Sequence, residues 1–489
     1  MIDSVAYYLE DQGPFSAQAG ITVSEAMAHA GVDPADQNLM AIRVNNEITS
    51  LSYPLEVNAH LSPVTIDTTE GRRVYRRSLC FLLSIAFNDI APEVRLVIGH
   101  SLGDSYYYTF GEGQCCDQAT LRRVEERMRE LVQEDLEIVR SYVGYDEAIR
   151  YFEERGMSET ALLVAHQNAS KVAVYTCGEV LDLAHGPLAP RTGVLNIFAL
   201  EEYEGGFILR FPGGEGDPRQ LGQFRGSPLL FSVYQEHKQW GRILDVASAG
   251  KLNQRVVSGD IREFIRVAEA LQNKRIAEIG DKALEHSEVR VVLIAGPSSS
   301  GKTTFAKKLA IQLRAAGRVP VGISLDNYFV PRELTPRDKE GNYDFESLKA
   351  IDVALLNEQL LDLFHGKEVD IPLFDFRSGS RSFPGRPLRL PENGVLILEG
   401  IHGLNDQLTP RVPGENKFKV YVSALTQLNL DDHNRIPTTD NRLIRRMVRD
   451  YQFRGHSALD TLHMWPSVRR GENRNIFPYQ DSADVAFNS

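Results

Sequence analysis

The residues most clearly equipped for chemistry are Gly296-Pro297-Ser298-Ser299-Ser300-Gly301-Lys302-Thr303-Thr304, a Gly-x-x-x-x-Gly-Lys-Thr pattern. Gly296 and Gly301 let the backbone turn so that successive amide N–H groups converge on one point, at the positive end of the following helix dipole. A polyphosphate fits there. Lys302 would reach the β- and γ-phosphates, and the Thr303 hydroxyl would ligate the Mg²⁺ that neutralises them. ATP and Mg²⁺ are the cofactors this chemistry calls for.

The elements needed to position that loop are present. Val291-Val292-Leu293-Ile294-Ala295 is an apolar run short enough for a buried parallel strand, and Phe305, Leu309, Ile311 and Leu313 continue at roughly helical spacing. A second apolar run, Pro320 to Leu325, delivers Asp326-Asn327-Tyr328-Phe329 at its C-terminal end. In a doubly wound sheet ligands bind outside the carboxyl ends of the strands, so Asp326 should share a rim with the phosphate loop and could accept a proton from a substrate hydroxyl. Alone, it reads more readily as a turn or capping Asp. A third run, Gly394 to Leu398, ends in Glu399-Gly400, where Glu399 would bind Mg²⁺ directly or through water. Phe418 to Val422 and Ala483 to Phe487 complete five apolar strands alternating with helices, which predicts a parallel α/β sheet.

Between the last two strands, Arg442, Arg445, Arg446 and Arg449 recur at spacings of three and four, a strongly cationic helix face in an acidic protein. It suits a lid closing over phosphates; a solvated basic helix and an RNA-contacting patch are the alternatives.

These residues, with Ser324–Tyr328, Tyr343-Asp344-Phe345, Pro372 to Arg381, Glu399-Gly400-Ile401, Arg442 to Gly455 and Ala483-Asp484-Val485, make about 200 residues resemble the uridine kinase and phosphoribulokinase family. The resemblance implies ATP-dependent phosphorylation of a ribose 5′-hydroxyl, with Asp326 as base and Asp344 holding ribose hydroxyls. Lys302, Arg445 and Arg449 would assist transfer, and Tyr328, Phe374, Arg381, Arg445 and Arg454 would line the acceptor site. Two positions depart from the uridine kinase pattern: Phe374 stands where a Tyr is usual, and Gly379 where a His is usual. A phenol and an imidazole are thus missing where the base edge would be read, which leaves the nucleoside open. Relatives commonly continue past the last strand, so an end at Asn488-Ser489 reads as a truncated chain or an open nucleotide pocket.

The N-terminal half has a different character. Thr22-Val23-Ser24-Glu25 is a capping box opening a helix through His29, with strands expected near Val5, from Met40 to Val44, from Glu47 to Leu51 and near Val64. This order fits a β-grasp domain over 1–68. Tyr75–Ser78, Ile98-Gly99 with Tyr106–Phe110, and Asp182 to Gly193 resemble the TGS and editing domains of threonyl-tRNA synthetases. In that family the editing site carries two His on the first helix and a Cys and a His around the Gly-Pro motif. Here those places are Arg77, Phe81, Ala184 and Leu188, so neither general-base chemistry nor metal ligation can be assembled there. The editing-like domain (69–225) is read as a scaffold for binding, regulation or assembly, and His185 as a packed or surface histidine. A breaker-rich loop at Phe211 to Pro218 leads to a helical connector (226–285) with Asp260 as a cap, then the kinase-like domain (286–489).

Composition agrees with a multidomain globular protein: 489 residues, 42% hydrophobic and 25% charged. No apolar run reaches the roughly 18 residues of a membrane span. Cys80, Cys115, Cys116 and Cys177 form no metal spacing or disulfide framework and point to a cytoplasmic location. The net charge of -12 argues against broad nucleic-acid binding, leaving it to a local patch in the N-terminal domains. A nucleoside and ATP are the expected partners, and the kinase resemblance allows a homo-oligomer.

Overall fold

Residues 4–213, 217–224, 226–338, 341–375 and 378–489 are described by this computed structural model. Part of the breaker-rich loop, 214–216, and Phe376 of the Pro372–Arg381 motif lie outside the described residues. The chain divides into one unit of Met1–Gly226, Asp245–Gly259 and Gln427–Arg435, and another of Ser227–Leu244, Asp260–Thr426 and Ile436–Ser489.

In the first unit, alternation in Ser4–Leu9 buries Val5, Tyr7 and Leu9 on one face. This strand pairs antiparallel with Gln12–Gln18 and parallel with Ala59–Thr65, which continues to Leu39–Val44 and Glu47–Thr49. The Gln12–Gln18 strand was not among those expected; it is an edge strand, where a proline costs no ladder bond. The Thr22–Glu25 capping box forms as expected and starts helix Val23–His29, whose Val23, Ala26 and Met27 pack on the sheet. Beyond it, helix Thr69–Ile90 and helix Gln118–Glu134 cover a four-stranded antiparallel sheet in the order Ala199–Tyr203, Gly206–Arg210, Ser105–Phe110, Leu96–Ser101. Leu79, Leu83, Phe87, Val124, Met128 and Phe207 form the shared core.

The second unit is built on five parallel strands in the order Val319–Ser324, Gly394–Glu399, Val291–Ala295, Lys417–Ser423, Val485–Asn488. All five carboxyl ends therefore lie along one edge. The central strand is buried on both sides: Val291 and Leu293 join a core with Leu356, Leu360 and Leu398, while Val292 and Ile294 join one with Phe305, Leu309 and Val420. That is why it reads as a continuous apolar run without alternation. The 226–285 stretch does not form a separate spacer. Helices Pro228–Leu244 and Ile261–Leu284 join the second unit, burying Val233, Ile276, Ile279 and Ala283, while Ala249–Ser258 joins the first. Asp260 precedes helix Ile261–Leu284 without making a side-chain cap. Among the described residues no helix is long and apolar enough to cross a membrane.

Candidate active site

Strand Val291–Ala295 runs out at Gly296, where a Cβ would lie 1.8 Å from the carbonyl oxygen of Val422 on the neighbouring strand. Only glycine fits so close an approach. The loop then turns through Ser299 (φ 58) and Gly301 (φ 89) in left-handed conformations and enters helix Lys302–Ala315. Such turns point consecutive amides into a concavity that attracts anions. The hydroxyls of Ser299 and Ser300 are buried there with no hydrogen-bond partner among the described residues, as expected of groups that await a phosphate. Lys302 Nζ lies back on the loop, donating to the carbonyls of Gly296 (2.9 Å) and Pro297 (3.2 Å). Burial lowers its pKa, opposed by Glu399 and Asp326.

The sheet topology brings the other expected groups to the same edge. Glu399 ends the strand beside the P-loop strand, and its Oε1 accepts from Thr303 Oγ1 at 3.1 Å. Asp326 follows Val319–Ser324 on a short turn, with its side chain reaching water in a recess dense with protein. Burial raises its pKa, against the pull of Lys302, Arg454 and Arg449. A carboxylate held near a Lys and two Arg, yet incompletely hydrated, is a suitable proton acceptor.

The arginine helix, Thr438–Phe453, divides its work. Arg445 Nη2 donates to Ser489 Oγ (3.1 Å), which donates to the P-loop carbonyl of Ser300 (2.7 Å). Arg449 binds Asp450 Oδ1 through Nε (2.9 Å) and Nη2 (2.6 Å), with Arg454 3.7 Å from the same oxygen. Arg442, by contrast, is 1% exposed and bound to Glu472, itself 1% exposed. Its Nε donates to the Ser298 carbonyl (3.0 Å), Glu472 Oε1 accepts the Ser298 amide (2.9 Å), and Arg446 Nη1 donates to Ser298 Oγ (2.5 Å). The expected single cationic face is thus partly a brace behind the phosphate loop.

On the acceptor side, Asp344 is held by Arg474 (3.3 Å) and Arg381 by Asp352 (2.8 Å). Tyr328, expected to contact substrate, is a core residue. Its ring is fully buried and its hydroxyl donates to Gln359 Oε1 at 2.8 Å, because the turn Leu325–Tyr328 sends Asp326 outward and Tyr328 inward. Phe374 is 7% exposed and packs on Phe329 with ring centroids 5.5 Å apart. Gly379 has φ 71, and a Cβ there would meet Arg332 Nε at 2.6 Å, so the Arg332 side chain fills the space a larger residue would need.

Three residues of this site escaped the sequence reading. Glu472 comes from helix Ala458–Asn475, whose internal Pro466 and Gly471 hide its periodicity. Glu346 lies among Glu472, Arg446, Lys302 and Asp326, and its pKa is raised to about 7, first by burial and then by Glu472. His402, three residues beyond Glu399, is 1% exposed, and burial lowers its pKa to about 4, leaving a neutral imidazole.

In the first unit the four degenerate positions offer no such chemistry. Phe81 and Leu188 are buried in the core, Ala184 packs beside them, and Arg77 Nη1 donates to the Pro187 carbonyl at 2.7 Å. A Cβ on Gly186 would lie 2.7 Å from the Arg77 guanidinium, so that side chain fills the space. His185 is exposed.

Residues 291–489 match the model of the Phosphoribulokinase / Uridine kinase family. The chain is 35% identical over 189 residues to a threonine–tRNA ligase of Symbiobacterium thermophilum, covering 38% of this chain and 29% of that protein. It is 31% identical over 240 residues to the threonine–tRNA ligase of Aromatoleum aromaticum, covering 46% and 37%. It thus spans about a third of the length of these curated relatives. A solved structure described as a possible uridine kinase from Bacillus stearothermophilus aligns at 22% identity and a TM-score of 0.25, covering 41% of this chain and 89% of that one. The chain joins an N-terminal half similar to threonyl-tRNA synthetases to a C-terminal region matched by the phosphoribulokinase and uridine kinase family.

Proposed function

We propose that the C-terminal region transfers the γ-phosphoryl group of ATP to the 5′-hydroxyl of a nucleoside, with the N-terminal half regulating or binding. The observation that carries this reading is the placement of Asp326 and Glu399 at the carboxyl ends of strands beside the loop that carries Lys302 and Thr303. The loop amides, the unpartnered serine hydroxyls and Lys302 fit a triphosphate, and Thr303 with Glu399 supplies hard oxygen ligands suited to Mg²⁺. Bound Mg²⁺ would neutralise phosphate charge.

The chain's own residues do the rest. Lys302 leaves the carbonyls of Gly296 and Pro297 to meet the phosphates, and Arg445 and Arg449 face the charge that develops on the transferred group. Asp326 orients the acceptor hydroxyl in line and takes its proton as the new P–O bond forms and the bond to the ADP oxygen breaks. Asp344, Arg381 and Arg454 bind the acceptor, with Asp344 on ribose hydroxyls. The four free cysteines fit a reducing compartment, so a cytoplasmic site of action goes with this reading.

The test is ATP consumption with Mg²⁺ across ribonucleosides, deoxyribonucleosides and ribulose 5-phosphate, with Lys302→Ala as the blank. Turnover of one nucleoside, absent in the blank, is expected. Turnover of the sugar phosphate alone would replace the nucleoside as acceptor. Silence with ATP still bound would favour a nucleotide-switched RNA-binding protein.

A further inference from the structure

The segment Gln427–Arg435 follows the fourth strand of the parallel sheet and precedes the arginine helix, yet it belongs to the N-terminal unit. It is held there by directional bonds. Arg95 grips Asp432 at two points, Nε to Oδ2 and Nη2 to Oδ1, both 2.7 Å. The amide of Ile98 donates to the Asp432 carbonyl (2.8 Å), and Asn429 Nδ2 donates to the Ile98 carbonyl (2.6 Å). Asp182, 3% exposed, lies 2.6 Å from His433 Nδ1. Burial of His433 opposes its charge, but Asp182 raises its pKa to about 9 and keeps it cationic. Asn434 Nδ2 adds a bond to the Leu183 carbonyl (3.2 Å), and the amide of Ala249 one to Asn429 (2.8 Å).

Packing alone would let such a strap slide, whereas forked and charge-assisted bonds fix its register. Pro437 then caps the arginine helix two residues after Arg435. We propose that Arg95 and Asp182 of the N-terminal unit are positioning residues for the arginine helix, so that Arg445, Arg449 and Arg454 are correctly placed only while the strap is seated. The catalytic consequence rests on the kinase reading above. This role needs none of the groups missing at Arg77, Phe81, Ala184 and Leu188.

Hydrogen exchange on the full chain tests it without reference to catalysis. Arg95 is 45% exposed at the side chain and borders a cavity of about 300 Å³, so its replacement removes little packing. Arg95→Ala should speed amide exchange across residues 438–453 by about tenfold or more, and Arg95→Lys, which keeps the charge but not the fork, by less. Helix Lys302–Ala315 should keep its protection. If Arg95→Ala also loosens helix Thr69–Ile90, Asp182→Asn is read in the same way. Unchanged exchange over 438–453 in both variants would overturn the proposal. With an active acceptor in hand, Arg95→Ala should lower kcat about tenfold and leave the KM for ATP within about twofold; equal loss in both would also count against it. A wild-type protein silent on every acceptor rejects the kinase reading, and exchange still decides the strap.

Discussion

Thr303 Oγ1 donates to Glu399 Oε1 at 3.1 Å, joining the first turn of the P-loop helix to the end of the adjacent strand. Two oxygens of the kind suited to Mg²⁺ are thereby held by rigid elements. Glu399→Gln keeps the size and loses the charge. It should weaken Mg²⁺ dependence by about 10- to 100-fold, read from turnover against Mg²⁺ concentration, with nucleotide binding retained. An unchanged Mg²⁺ midpoint would remove Glu399 from the metal site.

Asp326 must be ionised to accept a proton. Burial raises its pKa above the ordinary aspartate value, so the acidic limb of kcat/KM should lie above the usual carboxylate range. Arg449 helps hold that pKa down, so Arg449→Gln should move the limb to higher pH. Asp326→Asn should remove the limb and lower turnover by about 10²- to 10⁴-fold. A pH profile that keeps its acidic limb in Asp326→Asn would assign the limb to another group.

The Arg442–Glu472 pair is buried at both ends and bonded to both the amide and the carbonyl of Ser298. Removing one partner strands the other charge, so Glu472→Gln should cost about 3–5 kcal/mol in urea unfolding followed in the C-terminal unit. Arg442→Met with Glu472→Met should recover part of that loss. A double variant as unstable as the sum of the singles would show the two side chains acting independently.

Glu346 has a folded pKa of about 7, above the roughly 4.3 of an exposed glutamate. The folded state therefore holds the proton more tightly, and the stability this confers at low pH is lost as pH rises through that window. Glu346→Gln should raise Tm at pH 8 and change it little at pH 4.5. Equal shifts at both values would mean the effect is packing rather than charge.

The phosphate loop, Asp326 and Glu399 were legible because a buried parallel strand leaves an uninterrupted apolar run, and the residue just past it must lie at the ligand edge. The arginine spacing was legible too, but spacing cannot distinguish a solvated cationic face from one buried against carboxylates. Arg442 is buried because Glu472 meets it from 30 residues away. Tyr328 shows the same limit at short range, since two residues of one turn face opposite ways. Phe374 was expected to line the acceptor site and sits in the core against Phe329. The membership of Gln427–Arg435 in the N-terminal unit leaves no periodic trace, being made of single polar bonds to residues 180 or more positions earlier.

The chain passes between its two units at 226–227, 244–245, 259–260, 426–427 and 435–436. No single cut in the gene can therefore release either unit whole. A fragment ending at 226 leaves Arg95, Glu159 and Asp182 without Asp432, Ser248 and His433, and one beginning near 258 loses the Val233 helix from the core of the kinase-like unit. Deleting either contiguous stretch therefore takes bonds or packing away from the unit that is kept.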